Sequence, residues 1–388
     1  MNSPLNIPIN FIENLDFSTV EFVDAGNELT SIEKESYDLF RKAVEDIKII
    51  RNKYLITVAC SFGKDSELTL LAALQAHREL MAEGILTSNS PFIITTIDTL
   101  VENHLMKILV HHEIKRLKEW GIQNDINIDI RVATPNLSRT WSAMFLSGLK
   151  VLSLAKLNND CSEELKIRNS EKVEKTLVKQ YGGLIVTLLG SRISESSARK
   201  NSLVKRSQHN KTADELIEFA DKSRQDRVFA PIVNMNADHV WTLLRRAGSN
   251  PITKPSEGFE PIPSYSTNHR LLNIIYGDSV EEGSCPVSSK RIQGDKSAAG
   301  GCGKSARNGC FTCLKPLFDN SAKILAQSKR HGLINGNMLK VRDFMMHIGA
   351  DISYRTWHTR AMDMTTGAIA AQPNVLNAET LDYLYVIH

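Results

Sequence analysis

The stretch from Lys53 to Gly84 constrains this chain more than any other. "KYLITVAC" is a β-branched apolar run without alternation, the pattern of a strand buried on both faces. It ends in the small polar turn "SFGKDS", Ser61 to Ser66, and "SELTLLAALQAHRELMAEG" resumes at helical spacing and stops at Gly84. A buried strand that passes through such a turn into a helix belongs to an α/β sheet.

The unit then repeats. "PFIITTID" reads as a second buried strand, "NHLMKILVHHEIKRLKEWG" as a helix ending at Gly121, "INIDIRVATP" as a third strand and "GGLIVTLLGSR" as a fourth. Strands alternating with helices predict a doubly wound parallel sheet with right-handed crossovers. Such sheets bind ligands where strand carboxyl ends meet helix starts, the position of "SFGKDS". Upstream, "TSIE" offers Thr30 and Glu33 as a capping box for a helix whose apolar stripe is Phe40, Val44, Ile47 and Ile50. Three regions follow from this: an irregular polar arm over 1–29, the α/β domain over 30–245, and a Cys-rich segment with a helical region over 246–388. The last begins in "AGSNPITKPSEGFEPIPSYS", rich in Pro, Gly and Ser.

At the turn, the free N–H groups and positive dipole end of a helix converge on one point. Gly63 lets the backbone approach, Lys64 brings a mobile charge, and Ser61 and Ser66 bring hydroxyls. These features make a phosphate cradle, although the G-x-x-x-x-G-K-[ST] spacing of a Walker A loop is missing. "SFGKDS" resembles the PP-loop, S-G-G-K-D-S, of the ATP pyrophosphatase superfamily, whose members split ATP between the α and β phosphates. Phe62 stands where that motif usually has its first glycine. The resemblance implies that Ser61, Phe62, Gly63, Lys64, Asp65 and Ser66 hold ATP, with Mg2+ neutralising charge.

Two further stretches resemble the phosphoadenosine-phosphosulfate reductase branch. "LLGSRISESSAR" matches its G-x-R-x-x-E-S-x-x-R element at Gly190, Arg192, Glu195, Ser196 and Arg199. Both arginines suit phosphate or sulfate oxygens. "FAPIVNMNADHVWTLL" is similar to the branch's P-I…D-V-W segment, with His239 before Val240 and Trp241, and reads as a structural helix start. "TTIDTLVEN" sets Asp98, Thr99 and Glu102 just past the second strand, a place for a group that meets nucleotide or second substrate. His111, His112 and Glu113 read as a solvated helix face.

Of six cysteines, Cys285, Cys302, Cys310 and Cys313 fall in one short segment. In a cytoplasmic chain this clustering favours ligation over disulfides. Four thiolates suit tetrahedral zinc or a [4Fe–4S] cluster, and spacing does not choose. Cys60, at a strand end, reads as core. Cys161 reads either as a redox-active or persulfide-carrying thiol or as a packed cysteine.

"GDSVEEGSCP…GGCGKSARNGCFTC", "DTLVEN" and "CSEELKI" together resemble the DNA-phosphorothioation sulfurtransferases of the DndC and SspD type, over roughly residues 50–345. That resemblance implies a [4Fe–4S] cluster on Cys285, Cys302, Cys310 and Cys313. It also implies DNA as acceptor, a cysteine desulfurase as sulfur donor, and other phosphorothioation subunits as partners. Lys64, Asp65, Glu195, Arg192, Arg199 and Cys161 are then the catalytic candidates, and Asp98 and Gly190 join the nucleotide-binding set. No cysteine follows Cys313 and no Cys–Cys pair occurs at Cys161, which argues against sulfonucleotide reduction. The alternatives are a transfer-RNA thiolase or sulfonucleotide enzyme, and a non-catalytic nucleotide-sensing, DNA-binding subunit.

Composition narrows the setting. No apolar run reaches the roughly 18 residues that span a bilayer, and "MNSPLNIPINF" lacks the pattern of a signal peptide, so a cytoplasmic protein without membrane partners is expected. The net charge of +3 announces no polyanion by itself, but the C-terminal third is basic and suits nucleic acid.

Overall fold

The computed structural model describes residues 31–152, 160–223, 227–248, 262–266, 269–278, 308–316, 319–327 and 332–387. Its centre is a parallel sheet of β1 (Leu55–Ala59), β2 (Phe92–Ile97), β3 (Ile128–Ala133), β4 (Ile185–Leu189) and β5 (Val228–Phe229), in the order β3-β2-β1-β4-β5. The predicted α/β architecture is therefore the observed one, with β5 a short fifth strand that sequence periodicity did not signal. Two residues are too few to establish a period.

Strand order reverses at β1. The chain steps from β1 to β2 and β3 on one side, then returns to place β4 on the other. The crevice beyond the carboxyl ends of β1 and β4 is thus the switch point at which such sheets take ligands.

Pleat alternation assigns the strands' side chains to two faces. Ile56, Val58, Ile94, Val186 and Leu188 join the main core, which α1 (Ser31–Lys53), α2 (Lys64–Ala82) and α3 (His104–Gln123) cover. Leu55, Ile93 and Ile185 face the other way and pack on Leu177 and Val173 of α4 (Arg168–Tyr181). Burial on both faces explains why these strands read as continuous apolar runs. Phe40, Val44, Ile47 and Ile50, the predicted stripe of α1, are all buried. Thr30 lies outside the described residues, and the Glu33 carboxylate meets Arg246.

After β4 come α5 (Ser197–Lys205), α6 (Ala213–Phe219) and α7 (Ala237–Arg246). Asn236 and His239 form a capping box at the start of α7, as the structural reading of that segment expected. Then follow α8 (Arg270–Asp278), α9 (Asn320–Gln327), α10 (Gly332–Ala350), a hairpin of β6 (Arg355–Met362) and β7 (Ile369–Leu376), and α11 (Ala378–Ile387). The hairpin adds strands to a region expected to be helical; Asp363 accepts from the backbone of Thr365 and Thr366 to shape its turn. A second apolar core joins Val101 and Trp141 to Val341, Met345, Ile348, Leu376 and Leu384. Among the described residues no helix is long and apolar enough to cross a membrane. The 1–29 arm lies outside them.

Candidate active site

At the end of β1 the Cys60 N–H still donates to Thr95 on β2, 2.9 Å away, so the strand stays in register until the turn begins. Phe62 then takes φ +56°, a left-handed conformation that costs a side chain about 1 kcal/mol or more. Its ring offsets that strain by full burial in the main core. Gly63 caps α2 without any side-chain hydrogen bond of its own. Ser66 Oγ accepts from the Ser61 N–H at 3.2 Å, donates to the Gly63 carbonyl at 2.9 Å, and lies 3.2 Å from Ser61 Oγ. The two serines thus hold the loop's shape and line it with hydroxyls.

Arg192, beyond β4, reaches across the switch point. Its Nε donates to Asp65 Oδ1 at 2.7 Å and its Nη1 to Ser194 Oγ at 2.9 Å, with the guanidinium buried. Lys64 Nζ meets the other Asp65 oxygen at 3.1 Å. One carboxylate therefore orders two cations at the start of α2. Gly190 makes this approach possible: a β-carbon there would stand 2.7 Å from the Asp65 carbonyl and the Ser66 nitrogen. Arg199 and Glu195 pair with each other at 3.0 Å on the exposed rim, where Ser196 caps α5. Asp98 caps its own loop by accepting from the Leu100 N–H at 2.8 Å, with Lys107 3.9 Å from its other oxygen.

These loops and strand ends lie within a match to the phosphoadenosine phosphosulfate reductase domain over residues 55–253. The chain belongs to that family. Neither a curated protein nor a solved structure matches it. Membership in the phosphosulfate reductase family makes the chain a nucleotide-using enzyme of sulfur chemistry.

A second centre adjoins the carboxyl end of β2. Thr99 Oγ1 donates to Glu102 at 2.9 Å and lies 3.4 Å from Cys310 Sγ, and the Phe311 N–H donates to the Val101 carbonyl at 3.2 Å. Cys161 sits just before a π turn, Glu163–Ile167, that carries Lys166. Buried Glu164 anchors this turn: Arg139 Nη1 donates to both of its carboxylate oxygens, at 3.0 and 2.9 Å. Burial pushes the Cys161 thiol up to about 11, with Cys313 adding to the rise and Lys166 and Lys315 opposing it. Burial, then Glu102, push Cys310 up to about 12. Burial works to lower the Lys166 ammonium, but Cys310, Glu102, Cys313 and Cys161 outweigh it and leave it raised.

Three predicted thiols are thus gathered beside a lysine, and no disulfide joins them. Thiolates are the donors that a thiophilic metal or an iron–sulfur cluster takes. Cys285 and Cys302 lie outside the described residues, among which no group of three or more His, Cys, Asp or Glu has the arrangement of a metal site.

Sequence reasoning missed two features. Tyr276 of α8 lies over Lys64, with its ring centroid 5.4 Å from Nζ. Behind the loop, Glu67 is buried and accepts from Tyr265 at 2.6 Å, with His269 Nδ1 at 3.7 Å. Burial, and then the neighbouring Glu113, hold the Glu67 carboxyl well above its usual range. Glu113 corrects the expected solvated face: it is buried against the main core, and only His111 of that trio is exposed. "RLLNIIYG" carries no signal beyond an apolar helix, so Tyr276 had nothing to mark it.

Proposed function

We propose that the chain is an ATP pyrophosphatase and sulfurtransferase that puts sulfur into the DNA backbone. The observation that carries this reading is the juxtaposition of two centres on one sheet edge: a phosphate loop beyond β1 and a lysine-flanked thiol set beyond β2. Replacing a phosphate oxygen by sulfur needs both, since the oxygen must become a leaving group and a sulfur must be delivered.

In this reading the loop N–H groups, Ser61, Ser66 and Lys64 bind the ATP phosphates, and Asp98 lies at the rim for Mg2+. A non-bridging oxygen of DNA attacks the α-phosphorus, the α–β bond breaks, and pyrophosphate leaves. Arg192 keeps Asp65 fixed, which leaves Arg199 as the rim cation that orients the acceptor phosphate. Charge stabilisation by these fixed groups supplies most of the acceleration. The terminal sulfur of a persulfide charged by a cysteine desulfurase then attacks the DNA phosphorus, and AMP leaves with the activated oxygen. A thiol cleaves the resulting P–S–S–Cys bond, leaving the phosphorothioate and a disulfide that an external thiol reductant reopens. A cluster held by the C-terminal thiolates, when bound, supplies sulfur relay or positioning. Lys166 holds negative charge on the thiols beside it.

The test is mass spectrometry of nuclease-digested DNA from cells carrying the native chain, Lys64→Ala or Cys310→Ala, with the partner subunits expressed. Phosphorothioate-linked dinucleotides should appear with the native chain and vanish with both variants. Their absence from native cells would overturn the DNA acceptor, and sulfur in RNA would transfer it there.

A further inference from the structure

The segment after Glu195 departs from the charge balance of the chain. Between Glu195 and Asp214 it carries Arg199, Lys200, Lys205, Arg206 and Lys211 and no carboxylate, although the whole chain has a net charge of only +3. These residues form α5 and the turn after it, and the scaffold under them is firm. Ser196 Oγ accepts from the Arg199 N–H at 3.1 Å, and Leu203 packs with Ile193, Ala230 and Val233. Past the helix end, Ser207 takes φ +52° and the Gln208 N–H donates to the Leu203 carbonyl at 2.9 Å. Among the described residues the one ion pair of α5 joins Arg199 to Glu195, which leaves Lys200, Lys205 and Arg206 exposed and unpaired. The helix dipole accounts for Lys205 near the end of α5, but it disfavours Lys200 near the start.

An unpaired row of cations on a rigid helix fits a polyanion. Neither Phe, Tyr nor Trp occurs between Glu195 and Asp214, and the large apolar side chain exposed there is Val204. Single-stranded nucleic acid is gripped by aromatic stacking, and a protein partner by aromatic and apolar anchors; the segment offers neither. The backbone of a duplex, with one negative charge for about every 1.7 Å of its axis, needs only cations. The row also starts beside the phosphate loop, since Arg192, just before it in the chain, donates to Asp65 at 2.7 Å. We propose that α5 and the turn after it dock the phosphate backbone of duplex DNA, with Lys200, Lys205 and Arg206 as contacts beyond the reacting phosphate. This inference rests on the reading of DNA as the acceptor. Contacts to phosphates hold the duplex in place and read no sequence.

The experiment is fluorescence anisotropy of a labelled DNA duplex, and of single-stranded RNA of the same length, titrated with the full chain over a series of salt concentrations. The triple variant Lys200→Gln, Lys205→Gln, Arg206→Gln should bind the duplex about a hundredfold more weakly at about 0.1 M salt, with a salt slope shallower by about 2.7. Removing the same number of charges from α4, as Lys172→Gln, Lys175→Gln and Lys179→Gln, should leave binding within about twofold, because screening confines each charge to about 10 Å. Lys200→Arg with Lys205→Arg keeps the charges and should bind as the native chain does. An α5 variant with native affinity and slope, an equal loss in the α4 variant, or tighter binding of the RNA by the native chain would overturn the proposal. The first two of these outcomes leave DNA as the acceptor. If the native chain binds neither nucleic acid, that reading fails and the docking surface fails with it.

Discussion

The phosphate loop and the thiol centre are neighbours built in opposite ways. The loop is six consecutive residues between a strand and its helix, completed by Gly190 and Arg192 from the adjacent strand end. Its cations are already held by Asp65. The thiol centre is assembled from three distant pieces, Thr99–Glu102, Cys161–Lys166 and Cys310–Cys313, at the edge of the second core. There burial keeps protons on Cys161 and Cys310 that chemistry or a metal must remove. One centre is organised in advance, and the other is poised but protonated.

Separate substitutions should therefore separate the two. The largest effect is expected from Lys64→Ala, which should lower pyrophosphate release by about a hundredfold or more. A coupled pyrophosphate assay reads this, and thiol alkylation should stay unchanged. Arg192→Ala leaves Asp65 partly buried without its strongest partner and should cost about 3 kcal/mol in urea unfolding. Arg192→Lys, which keeps the charge but loses the fork, should recover part of that. If Arg192→Ala unfolds like wild type, the charged cradle is not what braces the switch point.

Phe62→Gly restores the residue usual in PP-loops and relieves a left-handed φ worth about 1 kcal/mol. It also empties a fully buried aromatic site, a loss of about 3–5 kcal/mol. The second effect wins, so the variant should be less stable by about 2–4 kcal/mol; a gain in stability would contradict the packing described.

The thiol centre responds to pH. The thiolate is the nucleophile, and burial raises these thiols, so reactivity is suppressed near neutrality and appears as pH rises. Iodoacetamide labelling of Cys161 and Cys310 in the metal-free chain, read by peptide mass spectrometry, should accelerate about tenfold per pH unit between about pH 8 and 10. A plateau near the ordinary cysteine range would refute the burial described. The smallest effect belongs to Lys166→Met, which removes a stabilising cation and should slow labelling a few-fold at fixed pH.

The same contrast explains what the sequence made legible. The four longer strands and the helix starts at Lys64 and Ala237 were readable because local pattern fixes each of them. Gly190 was visible as a motif residue, but its reason, the approach to Asp65, is tertiary. Cys161 was left between two readings because its neighbours Cys313 and Lys315 are far away in sequence and nothing local marks them. Tyr276 and the buried Glu67–Tyr265 pair went unseen for the same cause, since each joins residues that are far apart in sequence. The C-terminal hairpin escaped because the described side chains of β6 and β7 are half-buried or exposed except Leu376, so they mark no alternating buried face.

The most direct test of the account follows the bond that the loop is proposed to break. The full chain is incubated with ATP and duplex DNA, and the products are resolved by phosphorus NMR, for wild type, Lys64→Ala and Cys310→Ser. Pyrophosphate and adenylylated DNA from wild type and Cys310→Ser, and neither from Lys64→Ala, is the predicted result. ADP and inorganic phosphate, or pyrophosphate release that survives Lys64→Ala, would contradict it.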